Sequence, residues 1–207
     1  MARYTRSANW YDVISAEPVY RAGRQRAIPA LGLTEGNRVL DVGCGTGLNF
    51  PLLLEAVGAS GQVVGVDRSA AMLEVARRKT LRRPPGNVVL VDLDAEHLDA
   101  SAIPGSDGHT GPFDAALFTY SLSLMSDWEN AWRRASSLVR PGGRLAIVDM
   151  EPPHGWARLL TPIARLACRM GGADINAHPW TALERATTDV QSWSLRGGHV
   201  QVRVGTI

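Results

Sequence analysis

Lysine is almost missing from this sequence: Lys79 stands alone, and every other basic residue is arginine. A GC-rich coding bias explains that as well as any selected use of guanidinium groups does. Cysteine is scarce too. Cys44 and Cys168 sit neither in a CxxC pair nor beside a histidine, which excludes a disulfide framework and a zinc site. No uninterrupted run of about 20 apolar residues exists, so no membrane-spanning helix is expected. The opening MARYTRSANWYD lacks the apolar stretch of a secretory signal, so a reducing cytoplasm is the expected setting. Charge of one sign is also lacking: 22 basic residues face 20 acidic ones, for a net charge of +2. Nothing global then argues for a nucleic-acid partner. The cluster Arg77-Arg78-Lys79 with Arg82-Arg83 reads as a solvated helix end.

What remains is ordinary for a globular protein: 207 residues, 45% apolar and 20% charged, enough for one domain with a proper core. From residue 37 onward, short β-branched runs alternate with helical patterns. Strands are expected at 38–42, 62–67, 87–92, 113–120 and 143–150, and helices near 47–57, 70–82, 94–99 and 127–138. Unbroken apolar runs mean strands covered on both faces, as in a parallel sheet. The fold class is therefore α/β, a Rossmann-like doubly wound sheet whose strands end on one ligand-binding edge. Ser69 and Asp127 are expected to cap helices, and Pro141-Gly142-Gly143 to end one before the next strand.

The division expected is N-terminal helices over 1–36, a core over 37–150, and a substrate-side segment with a C-terminal hairpin over 151–207. Trp10, Tyr11, Val13, Ile14 and Tyr20 supply apolar surface to the first part. In the last, Trp156, Leu159, Leu160, Ile163, Leu166 and Met170 form one stripe with Arg158, Arg165 and Arg169 elsewhere. That stripe is expected to pack as core or lid, with a membrane-surface role as the alternative. The hairpin turns at Gly197-Gly198.

The sharpest local signal is Val39-Leu40-Asp41-Val42-Gly43-Cys44-Gly45-Thr46-Gly47. Glycines at alternate positions after a buried strand let the backbone turn tightly and let a ligand approach. A dinucleotide fingerprint begun at Gly43 needs glycine at 48, where Leu48 stands. Asp41, two positions before the first glycine, would repel a pyrophosphate and suits a cationic amine. Asp67 ends the second strand, where a carboxylate accepts from both ribose hydroxyls. Asp94 follows the third strand, within reach of an adenine amine, and also stands where a helix cap would. A positive end, a ribose diol and a purine without phosphates describe S-adenosyl-L-methionine.

Residues 38–150 resemble the class I S-adenosylmethionine-dependent methyltransferase core, carrying LDVGCGTG, VVGVDRSAAML, Asp94-Ala95 and LVRPGGRLAIVDM in order. The resemblance implies a seven-stranded sheet with the last strand antiparallel. It implies that Gly43, Cys44, Gly45, Thr46 and Gly47 lie against the methionine portion, with Asp41 orienting its amine. It places Asp67 on the ribose, Arg68 and Met72 beside the adenine, and Asp94 with Ala95 on its edge. Thr119 and Tyr120 would border the sulfonium, and Tyr11 resembles a tyrosine that closes over the cofactor.

No [Asp/Asn]-Pro-Pro-aromatic motif follows the fourth strand, and Glu151-Pro152-Pro153-His154 comes after the fifth, so base-amine methylation is not indicated. Trp10-Tyr11-Asp12, Val19-Tyr20 with Arg24, Gly45 to Pro51 and Ser121 to Trp128 resemble bacterial phospholipid N-methyltransferases, including those of phosphatidylethanolamine and betaine-lipid synthesis. The quinone methyltransferases share much of the same core. A small-molecule or lipid acceptor follows, an amine of aminolipid type first, with C- or O-methylation of a quinone or natural-product type as the alternative. A general base, if needed, falls to His154, His178, Asp149 or Glu151. His97, His109 and His199 are expected in solvent. A nicotinamide-dependent oxidoreductase and a non-catalytic module binding S-adenosylmethionine are the rival readings.

Overall fold

The computed structural model describes residues 17–80, 87–103 and 111–207. Tyr11, His109 and the Arg82-Arg83 pair lie outside the described residues. Within them the expected strands form at Arg38–Val42 (β1), Gln62–Asp67 (β2), Val88–Asp92 (β3), Phe113–Thr119 (β4) and Val139–Met150 (β5). The hairpin across Gly197-Gly198 supplies Thr188–Leu195 (β6) and Val200–Thr206 (β7). One sheet results, in the order β3-β2-β1-β4-β5-β7-β6, with β7 antiparallel to its neighbours and β1 to β5 parallel.

Both faces of the central strands are buried, which is why they read as continuous apolar runs. Successive residues of β1 serve opposite cores. Val39 joins Val63, Leu117 and Val202 under three helices: Glu17–Ala30 (α1), Phe50–Val57 (α2) and Ala70–Thr80 (α3). Leu40 and Val42 join Val64, Phe118 and Ile147 under Trp128–Ser136 (α4), where Phe118 meets Trp132 with ring centroids 5.5 Å apart. A further helix, Trp180–Ala186 (α6), closes that face with Trp180 and Leu183, and Thr161–Gly171 (α5) precedes it. The order of the parallel strands reverses between β1 and β4, with β2 and β3 added on one side and β5 on the other. At such a switch point the connections diverge to opposite faces and leave a crevice at the strand ends.

Local chemistry departs from the expected elements in three places. The helix expected near 94–99 is two 3-10 turns, Ala95–His97 and Ala100–Ala102, capped by Asp94 and Asp99. Two aspartates offering local hydrogen bonds so close together favour short turns over a continuous helix. Pro141-Gly142-Gly143 lies inside the irregular start of β5 instead of before it, and the register with β4 shifts between Phe113 and Ala115. The third departure is the stripe of residues 156–170, which packs as neither core nor lid. It is exposed. Trp156 shows 85% of its surface and Leu159 88%. Elsewhere the caps form as expected: Ser69 Oγ accepts from Met72 N at 3.4 Å and Asp127 Oδ1 from Asn130 N at 3.1 Å. Glu74 pairs with Arg77 and Arg78 on the exposed end of α3. Among the described residues no helix is long and apolar enough to cross a membrane.

Candidate active site

The C-terminal ends of β1, β2, β3, β4 and β5 share one edge, and each delivers a polar side chain there. The turn after β1 is built for close approach. Gly43, Gly45 and Gly47 all take positive φ, at 71°, 55° and 75°. A β-carbon on Gly43 or Gly47 would strike Ser121 or Phe50, whereas one on Gly45 would meet nothing within 4 Å. Gly43 and Gly47 therefore answer to packing. Gly45 borders open space.

Asp41 lies fully buried at the floor of this turn, and Asn49 Nδ2 donates to both its oxygens at 3.0 Å and to Thr119 Oγ1 at 2.8 Å. Asn49 stands where α2 begins yet makes no side-chain cap. Its amide is spent on joining β1 to β4 across the switch point. The carbonyl oxygen, Asn49 Oδ1, is buried with no hydrogen-bond partner. A buried acceptor of that kind is costly unless a donor arrives. Burial pushes Asp41 up to about 7, the Asn49 hydrogen bond opposing and nearby Asp67 adding to the shift.

Asp67, at the end of β2, accepts from Gly45 N at 2.8 Å and Ser69 N at 2.9 Å. One carboxylate thus ties the glycine turn to the start of α3. Burial raises its pKa against those two hydrogen bonds. Beyond β3, Asp94 does two things: it caps the 3-10 turn through Glu96 N at 3.1 Å and faces Arg68 at 3.5 Å. Met72, in the first turn of α3, and Ala95, next to Asp94, are both buried. Cys44 and Cys168 are buried thiols, pushed up by burial, Cys168 to about 11, so neither is a nucleophile at neutral pH. Thr46 is buried within the turn.

On the β4–β5 side, Tyr120 takes a positive φ of 56°, a conformation unusual for a bulky residue. Its hydroxyl donates to Tyr20 O at 2.7 Å, and its ring lies 4.7 Å from that of Tyr20. Gly23 in α1 makes this contact possible, because a β-carbon there would collide with the Tyr120 hydroxyl and with Val148. Asp149 is fully buried and accepts from Ser123 Oγ at 2.7 Å, Ser123 N at 3.1 Å and Met150 N at 2.9 Å. Burial lifts its pKa to about 6, and its hydrogen bonds hold the turn after β4 in place.

Glu151, at the exit of β5, is the hub of the histidines. Its carboxylate lies 2.7 Å from His154 Nε2 and 3.9 Å from His178 Nε2, and its backbone oxygen 2.7 Å from His199 Nδ1. His178 Nε2 is itself buried without a hydrogen-bond partner, its ring stacked on Trp180 at 5.0 Å. His199, expected in solvent, is buried: β7 runs antiparallel beside β5, and the residue that leads into β7 is brought to this edge. Asn49 is not among the residues that the sequence points to, because its partners, Asp41 and Thr119, lie on two separate strands.

The edge therefore holds acids where a nucleotide's phosphates would have to go, an open glycine turn and an orphaned buried acceptor. These fit a cationic adenosyl ligand and define the class I methyltransferase arrangement. The comparisons agree. A family model described as a methyltransferase domain matches residues 39–143. The 2-phytyl-1,4-naphtoquinone methyltransferase of Synechococcus elongatus is 35% identical over 136 residues, 66% of this chain and 55% of its own. The ubiquinone/menaquinone biosynthesis C-methyltransferase UbiE of Pseudomonas savastanoi is 36% identical over 136 residues, 65% of this chain and 50% of its own. The chain spans about half the length of these curated relatives. A SAM-dependent methyltransferase of Aquifex aeolicus shares the fold at a TM-score of 0.66, with 19% identity and 98% of both chains covered. The chain belongs to the class I S-adenosylmethionine-dependent methyltransferase family. The two curated relatives are named for quinone methylation or quinone biosynthesis, and neither is named for the aminolipids that the softer motifs suggest.

Proposed function

We propose that this protein transfers the methyl group of S-adenosylmethionine to a small aromatic acceptor with an acidic hydroxyl, a hydroquinone type. Asp41 and Asn49 Oδ1 would hold the methionine ammonium, Asp67 the ribose diol, and Arg68, Met72, Asp94 and Ala95 the adenine end, with Gly43 to Gly47 giving close approach. Thr119 and Tyr120 would border the sulfonium. The bound cofactor supplies a methyl carbon already activated for in-line displacement. The chain's task is then to position the acceptor, exclude water and accept a proton.

The observation carrying this reading is the Glu151 carboxylate set between His154 and His178 at the exit of β5. A phenol must lose its proton before its ring carbon or oxygen becomes a good nucleophile. An imidazole at this edge can accept such a proton, and the Glu151 carboxylate beside it would stabilise the resulting cation. Asp149, sealed under Ser123, is a positioning group for the turn between β4 and the acceptor. An aminolipid acceptor is the second reading, favoured by the Ser121–Trp128 motif, and a neutral amine needs no base. The two part at one substitution. Glu151→Gln is expected to lower kcat about 10²–10³-fold with a tail-less hydroquinone acceptor. It should leave an aminolipid reaction nearly unchanged. Labelled methyl in ethanolamine phospholipid and none in hydroquinone would overturn the first reading.

Cofactor binding is expected to release a proton. The free carboxyl of Asp41 titrates at about 7 because it is buried. An ammonium beside it favours the carboxylate and lowers that value, so affinity rises as pH climbs through neutrality. Calorimetry near pH 7 in buffers of different ionisation enthalpy measures the release, and Asp41→Asn should abolish it. No proton exchange would separate Asp41 from the ammonium.

A further inference from the structure

Of the large apolar side chains exposed among the described residues, all but Ile207 lie in one segment: Trp156, Leu159, Leu160, Ile163, Leu166 and Met170. The segment is a 3-10 turn, Gly155–Leu160, continuing into α5. Three stripes run along it. Ala157 and Cys168 are buried against the protein, and Cys168 packs with Met150 and Ile175 next to Tyr20 and Tyr120. Leu159, Ile163, Leu166 and Met170, spaced four, three and four apart, form the outward stripe. Arg158, Arg165 and Arg169, spaced seven and four apart, flank it, all of them exposed.

Charge says what covers this face. Between Glu151 and Asp174 the chain has three arginines and no acid. Arg158 and Arg165 also line a cleft of about 840 Å³ with His154, Thr161 and Pro162, again with no carboxylate in its wall. A second copy of the chain would bring three more arginines against these three. An anionic surface brings none. Apolar side chains beside exposed arginines, with a tryptophan at the segment's start, are the pattern of a helix lying in a lipid interface. Its apolar side sinks below the headgroups and its guanidinium groups stay among the phosphates.

We propose that residues 155–171 dock on an anionic lipid bilayer. The proposal rests on the methyl-transfer reading of the neighbouring site and names the source of its acceptor: an apolar-tailed molecule drawn from the membrane. The inner stripe touches Met150, at the end of β5, so a docked α5 sets the Glu151 edge at the bilayer surface.

The test is sedimentation of the full chain with vesicles of phosphatidylcholine containing about one third phosphatidylglycerol, against phosphatidylcholine alone. Binding is expected only to the anionic vesicles. It should weaken about tenfold or more in Trp156→Ser/Leu159→Ser and in Arg158→Glu/Arg165→Glu, and in about 0.5 M salt. Both variants should keep wild-type cofactor affinity, and wild-type turnover of a tail-less hydroquinone. They should lose turnover only of a long-tailed acceptor presented in vesicles. No binding to anionic vesicles overturns the proposal. So does a wild-type dimer in analytical ultracentrifugation that Trp156→Ser/Leu159→Ser dissolves, since a second copy would then cover the stripe. Vesicle binding without turnover of any hydroquinone would leave the docking standing and sink the acceptor reading. Turnover of the tail-less acceptor without vesicle binding would do the reverse.

Discussion

Asp67→Ala is expected to weaken S-adenosylmethionine binding about 100-fold, close to 2.7 kcal/mol. Two losses combine. Hydrogen bonds donated by a ribose diol to a charged carboxylate contribute roughly 1.5–3 kcal/mol. The same carboxylate also anchors Gly45 N and Ser69 N at 2.8 and 2.9 Å, so its removal frees the glycine turn that the cofactor must lie against. Asp67→Asn separates the two: it keeps the shape but turns an amide donor toward one backbone N–H, and an intermediate loss of about tenfold is expected. Apo stability should fall by about 1 kcal/mol in Asp67→Ala, because Gly45 N and Ser69 N lose their acceptor while the removed carboxylate is itself costly to bury. Burial holds the Asp67 pKa above its ordinary value, so the charge it loses was itself desolvated. Calorimetric titration with thermal unfolding of the apo protein reads both effects. Wild-type affinity in Asp67→Ala would detach this residue from the ribose.

Two glycines of one motif should fail in opposite ways. Gly43→Ala is expected to lose about 2–5 kcal/mol of folding stability. A β-carbon at φ 71° carries left-handed strain of roughly 1–2 kcal/mol, and overpacking adds roughly 1–3 kcal/mol. The obstacle is the Ser121 side chain, which cannot yield cheaply because its hydroxyl donates to Val42 O at 2.8 Å. Gly45→Ala has the same sign of φ but no protein atom within 4 Å of the new carbon. It should lose only the strain, roughly 1–2 kcal/mol, while cofactor affinity collapses because the methyl group fills the space the ligand needs. Urea unfolding and calorimetry on the pair decide it. A Gly45→Ala protein that binds normally would remove the cofactor from this turn.

Much of the architecture is legible in the sequence. β1, β2, β4 and β5 were plain because strands buried on both faces leave continuous apolar runs, and Gly197-Gly198 marked the last hairpin. The acids Asp41, Asp67 and Asp94 could be placed because each lies at or just beyond the C-terminal end of a strand, and those ends share one edge. His199 and Asn49 could not. Each acts through a partner 48 or 8 residues away, Glu151 and Asp41, and no local spacing encodes that meeting. The softer motifs also point to aminolipids, whereas the two curated relatives cited above are named for quinones. Motifs that flank a shared core follow its packing as much as its acceptor.

The order of residues alone determined the sheet, the glycine turn and the kind of cofactor. Those depend on side-chain period, on backbone freedom and on the sign of charge at strand ends, all of which are local properties. Tertiary structure alone decided that Asn49 bridges β1 to β4, that Glu151 gathers three histidines, and that the stripe on α5 faces outward. An amphipathic pattern states only that one face of a helix is apolar. Which face meets the protein depends on what the rest of the chain leaves uncovered.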